Sequence, residues 1–127
     1  MASVELLFLG TGTSAGVPMI GCHCPVCSST DPHDKRTRCS VVIGYGGKSI
    51  LVDTTPELRL QCVANRVDWI DAVVFTHAHA DHIMGLDDLR RFNAIRQDAL
   101  DIWADAATHD ALSQAFGYAF KATRSEG

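Results

Sequence analysis

The 127-residue sequence lacks any apolar run long enough to cross a lipid bilayer. A membrane-spanning helix needs about 20 consecutive apolar residues, whereas the first apolar stretch, at residues 4–9, is short and is interrupted by Glu5. No basic segment precedes that stretch, so it does not have the pattern of a secretory signal peptide. We therefore predict a cytoplasmic protein with no membrane partner.

The sequence also lacks an excess of positive charge, internal repeats and linker-like stretches. It has 11 Lys and Arg residues against 15 Asp and Glu residues, which gives a formal net charge of -4. This balance offers no general reason to bind nucleic acid or an anionic membrane. A hydrophobic content of 46% is typical of globular proteins, and the length fits one domain. We predict a single domain over residues 1–127, whose polar tail from Lys121 onwards frays.

Five cysteines are present, and three of them fall within six residues. Without a secretory signal, such a cluster favours metal binding or redox chemistry over a disulfide framework. Cys22, Cys24 and Cys27 have the spacing C-x-C-x-x-C, which can fill three corners of a zinc tetrahedron. We predict a structural zinc in a cysteine-rich insert at about residues 20–38, with the fourth ligand supplied by His23, His33, water or a partner. Free, partly buried thiols are the alternative.

Three histidines and an aspartate lie within six residues, directly after the apolar run at residues 72–76. Imidazole and carboxylate are the side chains that bind zinc, iron or manganese at neutral pH. In an extended chain, residues two apart point the same way, so His77 and His79 can hold one metal ion from one side. A turn at Ala80 would direct Asp81 and His82 towards a second metal position.

Two metal ions about 3.5–4 Å apart can hold a hydroxide between them and stabilise a leaving oxygen. Binding to the metals lowers the pKa of that water towards about 7, so a nucleophile exists at neutral pH. We assign Asp81 and His82 to catalysis as well as to metal binding. The alternatives are a loop of solvated histidines and a closed structural zinc site, although structural sites favour cysteine.

Asp53 follows the predicted strand at residues 48–52 and precedes a helix. A carboxylate at this point can accept hydrogen bonds that orient the histidines of the loop, as residues behind metal ligands do. An ordinary cap or turn residue is an equally good interpretation of the spacing.

The segment Lys35–Arg38 places three cations beside the glycine-rich stretch at residues 10–16. Arg can hold a phosphate by two parallel hydrogen bonds, which makes Arg36 and Arg38 candidate substrate-binding residues. A solvated run of charges is the more common case. The glycine-rich stretch has the spacing of neither common nucleotide-binding loop.

Apolar periodicity and turn residues predict five strands, at residues 4–9, 39–44, 48–52, 72–76 and 101–104. They also predict three helices, at residues 55–65, 86–96 and 106–120. The last helix has a predicted buried face formed by Leu112, Ala115, Phe116, Ala119 and Phe120. The core is expected to include Cys39, Cys62, Trp69 and Trp103.

Three segments resemble the metallo-β-lactamase superfamily: Phe8–Ser14, Leu51–Asp53 and His77–His82. A narrower resemblance, to phosphodiesterases that act on phosphoribosyl cyclic phosphate, is carried by Gly16–Pro18, Gly21–Cys27 and Arg36–Arg38. The resemblance implies an α/β (α+β) fold, the αββα sandwich, with a mixed sheet, flanking helices and a dinuclear site at one edge. It also implies that His77 and His79 bind one metal, that Asp81 and His82 bind the other, and that Asp53 supports the loop.

Members of that superfamily carry a second half that supplies a further histidine, a metal-bridging aspartate and a final histidine. No residue after His82 has this character, so the resemblance implies the N-terminal half of the sandwich only. We expect exposed apolar surface where the second sheet would pack, and hence a homo-oligomer or a complementing C-terminal half as partner.

The predicted function is that of a metal-dependent hydrolase, specifically a phosphodiesterase in which a metal-bound hydroxide attacks a small phosphoester. Two divalent ions, zinc or manganese, are the expected active-site cofactors, beside one structural zinc. A tRNA 3′-processing endonuclease and a cofactor-biosynthesis member are the alternatives within the superfamily, and the net acidity argues against the first. A non-catalytic zinc-binding fragment is the alternative outside it.

Overall fold

The fold is built on one five-stranded mixed sheet, in which the strands follow one another in chain order. The computed structural model describes residues 3–121. Its strands are β1 (Val4–Gly10), β2 (Ser40–Tyr45), β3 (Lys48–Val52), β4 (Ala72–Val74) and β5 (Asp101–Trp103). The pairs β1–β2 and β2–β3 are antiparallel, whereas β3–β4 and β4–β5 are parallel. The predicted α/β class and all five predicted strands are confirmed.

Within residues 3–121, four α-helices accompany the sheet: α1 (Leu58–Ala64), α2 (Ala80–Ile83), α3 (Arg90–Arg96) and α4 (Ala106–Ala115). Short 3-10 turns occupy residues Pro32–Asp34, Leu86–Leu89 and Gly117–Phe120. The predicted helix at residues 86–96 is therefore divided between a 3-10 turn and α3. The predicted helix at residues 106–120 ends early, because Phe116 leaves the helical region at φ -130° and ψ 37°.

The helices cover one face of the sheet. Side chains alternate between the two faces along a strand, and those of Leu9, Val42, Leu51 and Val73 are buried on the covered face. They form one core with helix and turn residues, including Leu58, Cys62, Ile83, Leu86, Leu89, Phe92, Leu112 and Phe116. This core holds β3, β4 and the helices after them in a fixed arrangement, which positions the loops that follow those strands.

The opposite face of the sheet is apolar and exposed. Leu6 is 57% exposed, Phe8 62% and Trp103 65%, and Val4 and Tyr45 are also more than half exposed. The strand register places Phe8 in one row with Val41, Val52, Val74 and Trp103, so these side chains lie on one continuous surface. We call the surface formed by Val4, Leu6, Phe8, Tyr45 and Trp103 the open sheet face. Its exposure agrees with the expectation of uncovered apolar surface.

Several predicted core residues lie elsewhere. Trp103 lies on the open sheet face, and Trp69 is 48% exposed, with the Arg96 guanidinium 5.3 Å from its ring centroid. Cys39 is exposed because it precedes β2, whereas Cys62 is buried on α1 as predicted. On the last predicted helix, Leu112 and Phe116 are buried, whereas Ala115, Ala119 and Phe120 are exposed because the helix ends at Ala115.

None of the helices in residues 3–121 has both the length and the apolar character needed to cross a membrane. The tail predicted to fray runs from Lys121 onwards, and its residues 122–127 lie outside the described part of the chain.

Candidate metal centre

The histidine loop, residues 77–82, follows β4 at the same sheet edge where Asp53 follows β3. The two strands are parallel neighbours, so their carboxyl ends meet at this edge. The Thr54 N–H donates to the His82 carbonyl oxygen over 2.8 Å, and the Gly85 N–H donates to the Thr54 carbonyl oxygen over 3.2 Å. Backbone hydrogen bonds thus join the segment that follows β3 to the histidine loop and the residues directly after it.

Asp53 lies beneath the histidine loop and is almost fully buried, with 4% exposure. Its carboxylate accepts hydrogen bonds from the Thr76 N–H (2.8 Å), the Thr76 hydroxyl (2.7 Å) and His82 Nδ1 (2.7 Å). Its backbone has a left-handed φ of 61°, a conformation that Asp adopts more readily than most residues. Asp53 therefore contacts the loop through its side chain, as the orienting role requires.

The three imidazoles of the loop lie close together. The ring centroid of His77 is 4.6 Å from that of His79 and 4.1 Å from that of His82. His82 Nε2 also lies 3.2 Å from Asp81 Oδ2. All four predicted ligands of the loop are thus gathered at one sheet edge.

The donor set of the loop fits a divalent cation. Because His82 Nδ1 is bonded to Asp53, its Nε2 is left facing the Asp81 carboxylate at 3.2 Å. Zinc bonds to nitrogen and oxygen of roughly 2.0–2.2 Å place two ligands of one tetrahedral ion roughly 3.3–3.6 Å apart. The observed separation is close to that range. A histidine whose second nitrogen is bonded to a carboxylate is also the usual arrangement around protein metal ions.

The cysteine cluster, Cys22, Cys24 and Cys27, brings its three sulfur atoms within 4.8 Å of one another. Among the residues that the structure describes, it is the one set of three or more potential ligand atoms that meets this distance. Neither His23 nor His33 belongs to the set, and His33 Nδ1 is instead 2.9 Å from Asp31 Oδ1. The four candidate ligands of the histidine loop do not form such a set either, so their atoms lie close together in pairs rather than around one closed site.

The local electrostatics distinguish the thiols of the cysteine cluster. The Cys27 N–H donates to Cys24 Sγ over 3.4 Å, and this bond, followed by those with the Cys22 and Cys27 side chains, lowers the pKa of Cys24 to about 7. The Met19 N–H lowers the pKa of Cys27, but Cys22, burial and Cys24 together raise it above its usual value. One sulfur of the cluster is therefore readily available as thiolate, the form that binds zinc.

The two candidate substrate arginines both contact the glycine-rich stretch. Arg36 donates to Thr11 Oγ1 over 2.6 Å and is exposed. Arg38 has two partners within the protein, because it donates to the Ser14 carbonyl oxygen and forms an ion pair with Glu57. No hydrogen bond or ion pair joins either arginine to the histidine loop within residues 3–121. Arg36 is therefore the freer of the two cations.

Thr76 is a contact residue of the site that the sequence analysis missed. Its hydroxyl lies 2.7 Å from Asp53 Oδ2 and 2.9 Å from His77 Nδ1. The available signal was a hydroxyl residue directly before the first histidine, and that signal is weak because threonine is also common in strands.

Comparison with known families identifies the architecture. The family model described as the beta-lactamase superfamily domain matches residues 48–126, which include Asp53 and the whole histidine loop. The chain belongs to the beta-lactamase superfamily. Its five-stranded mixed sheet with flanking helices has the metallo-β-lactamase fold, as the sequence analysis expected.

A solved superfamily structure, a diphosphatase from the PhnP family, has 49% sequence identity to this chain and a TM-score of 0.87. The match covers 94% of this chain and 49% of the diphosphatase. Our chain thus corresponds to about half of that enzyme, in agreement with the expectation of one half of a sandwich.

Two curated relatives carry other names. An octanoyltransferase from Porphyromonas gingivalis is 46% identical over 119 residues, which are 93% of this chain and 24% of the relative. Coenzyme PQQ synthesis protein B from Methylobacterium nodulans is 30% identical over 110 residues, which are 76% of this chain and 37% of the relative. The chain therefore spans about a quarter of the first relative and less than two fifths of the second.

Proposed function

We propose that this chain carries metal-binding residues of a hydrolase that acts on small phosphoesters. The observation that carries the proposal is the pairing of Asp81 Oδ2 with His82 Nε2 at 3.2 Å, while His82 Nδ1 is bonded to buried Asp53. Two acceptor atoms that face each other at this distance are best satisfied by a shared cation. The 49% identity to a diphosphatase supports phosphorus as the reacting centre.

Each residue of the site has a role in this proposal. His77 and His79 would hold one divalent ion, and Asp81 and His82 the other. When bound, such ions supply a water of lowered pKa and withdraw charge from a phosphoryl oxygen. Asp53 keeps His82 in place through its carboxylate, and exposed Arg36 is available to a substrate phosphate.

The cysteine cluster would hold a separate structural zinc. Three sulfur atoms within 4.8 Å of one another match three corners of a tetrahedral site. The fourth ligand would come from water or a partner, since His23 and His33 lie outside the set. This ion would stiffen the insert that carries Arg36.

We infer that a complementing second half covers the open sheet face in the active protein. Leu6, Phe8 and Trp103 are each more than half exposed on this face. Phe8 and Trp103 lie in one row across the sheet, and Leu6 lies two residues before Phe8 on the same face. Contiguous apolar surface of this kind marks an interaction site. The diphosphatase has about as many further residues as this chain contributes to the match, which is enough for a second sheet.

The experiment combines metal analysis with turnover. The chain, alone and mixed with the separately produced remaining half of the diphosphatase, is loaded with manganese or zinc. Both samples, the chain alone and the mixture, are then assayed with bis-p-nitrophenyl phosphate, a cyclic ribose phosphate and a precursor tRNA. We expect the mixture to hydrolyse the small phosphoesters. His77→Ala should abolish turnover and remove metal, whereas His109→Ala, at an exposed position on α4, should change neither.

Several outcomes would contradict the proposal. Cleavage of precursor tRNA alone would favour an endonuclease, and octanoyl transfer without phosphoester hydrolysis would favour the activity named for the Porphyromonas gingivalis relative. About one zinc per chain that is lost on Cys24→Ser but kept on His77→Ala would favour a non-catalytic zinc-binding module. Self-association that Phe8→Lys abolishes, with no binding of the added half, would assign the open sheet face to a homo-oligomer instead.

A further inference from the structure

The Thr76 hydroxyl lies between a carboxylate and an imidazole. Thr76 Oγ1 is 2.7 Å from Asp53 Oδ2 and 2.9 Å from His77 Nδ1, and both distances are those of hydrogen bonds. A hydroxyl has one proton to donate, so it can donate to only one of these two neighbours. The direction of that single proton determines whether Nδ1 of His77 donates to the hydroxyl or accepts from it, and hence the tautomer of the neutral ring.

The carboxylate decides the direction. Asp53 already accepts from the Thr76 N–H at Oδ1 and from His82 Nδ1 at Oδ2, and an ionised carboxylate accepts but cannot donate. If Thr76 donated to His77 instead, two oxygen atoms 2.7 Å apart would have no proton between them. The Thr76 hydroxyl therefore donates to Asp53, and its oxygen accepts a proton from His77 Nδ1.

We propose that Thr76 is a positioning residue that holds His77 in the tautomer protonated at Nδ1, so that Nε2 presents its lone pair to a metal ion. One oxygen of Asp53 then orients two histidines, His82 directly and His77 through the Thr76 hydroxyl. The proposal rests on the proposed function only for the identity of His77 as a metal ligand. The tautomer itself is a property of the metal-free chain.

The position of Thr76 makes this role separable from folding. Thr76 is exposed and its hydroxyl bond to Asp53 is only partly buried, so a methyl group in place of the hydroxyl is not forced into the core. Asp53 would keep the Thr76 N–H and His82 as donors. Thr76→Val preserves the branched shape and removes only the hydroxyl, and Thr76→Ser keeps the hydroxyl. Thr30→Val, at another exposed threonine, is the matched control.

The test reads the ring nitrogens of His77 and His82 by ¹⁵N NMR in the metal-free chain and then during a zinc titration. The ring signals of His77 and His82 come from the histidine loop itself, so zinc bound by the cysteine cluster does not contribute to them. We expect the wild type, Thr76→Ser and Thr30→Val to show His77 protonated at Nδ1. Thr76→Val should shift His77 towards the Nε2-protonated tautomer, leave His82 unchanged and weaken zinc binding at His77 by roughly 10- to 100-fold.

The outcomes separate this inference from the proposed function. If Thr76→Val leaves the His77 tautomer and zinc affinity unchanged while His77→Ala removes zinc, the role of Thr76 is refuted and the metal site stands. If Thr76→Val changes the tautomer but zinc never perturbs the ring nitrogens of His77 or His82, Thr76 orients a histidine that binds no metal, and the proposed function fails.

Discussion

Asp53 Oδ2 and His82 Nδ1 lie 2.7 Å apart, although the two residues are separated by 29 positions in the chain. The contact exists because β3 and β4 are parallel neighbours and because Asp53 turns its backbone into the left-handed region directly after β3. It links the end of one buried strand to the candidate metal ligands that follow the next strand.

Replacing Asp53 by Asn tests this link. Asn tolerates the left-handed backbone, but its amide group would present a donor to His82 Nδ1 in place of an acceptor. We expect the affinity of the histidine loop for zinc or manganese to fall by roughly 10- to 100-fold, with the fold retained. Metal titration and circular dichroism would measure the two effects. Asp110→Asn, at an exposed position on α4, should leave metal affinity unchanged.

Serine substitutions test the cysteine cluster. We expect each of Cys22→Ser, Cys24→Ser and Cys27→Ser to lose about one zinc per chain, because a hydroxyl is a much poorer zinc ligand than a thiolate. Cys39→Ser should keep the zinc, since Cys39 is exposed and lies outside the cluster. Elemental analysis after dialysis gives the stoichiometry. Zinc retained by all three cluster variants would show that these thiols are free.

The rate at which each thiol is alkylated should also depend on pH differently in the metal-free chain. Hydrogen bonds, the largest from the Cys27 N–H, lower the pKa of Cys24 to about 7, whereas burial raises the pKa of Cys62 to about 11. Because the thiolate is the reactive form, alkylation of Cys24 by iodoacetamide should rise with pH through about 7 and then level off. Cys62 should stay unmodified between roughly pH 6 and 9. Peptide mapping by mass spectrometry distinguishes the sites, and a Cys24 midpoint near pH 9 would contradict the assignment.

Gly85 tests the backbone contact behind the histidine loop. A Cβ at this position would overlap the Thr55 carbonyl oxygen and lie 3.1 Å from Leu58 Cβ. We expect Gly85→Ala to lower the free energy of unfolding by about 3 kcal/mol, because backbone atoms cannot move aside without disturbing the core. A Cβ at Gly117 would meet no atom within 4 Å, so Gly117→Ala should change stability by less than about 0.5 kcal/mol. Urea unfolding curves of the two variants provide the comparison.

The strands were predictable because their patterns are local. The apolar runs at residues 4–9 and 48–52 and the turn at Gly46 and Gly47 appear in the structure with nearly the predicted bounds. Burial was less predictable, because a large apolar residue such as Trp103 indicates a core only if another layer covers its face. In the described residues the helices cover the other face, so Trp103 is exposed.

The amino-acid sequence by itself determined which side chains are candidate metal ligands, because residue type and short spacing are local properties. They are an imidazole-rich loop at residues 77–82 and three thiols within six residues. Tertiary structure alone decided which polar groups stand behind those ligands. Thr76 and His82 meet the Asp53 carboxylate only because parallel pairing of β3 with β4 brings together residues 23 and 29 positions apart. Tertiary structure also decided which sheet face is covered, since that depends on where the connecting helices pack.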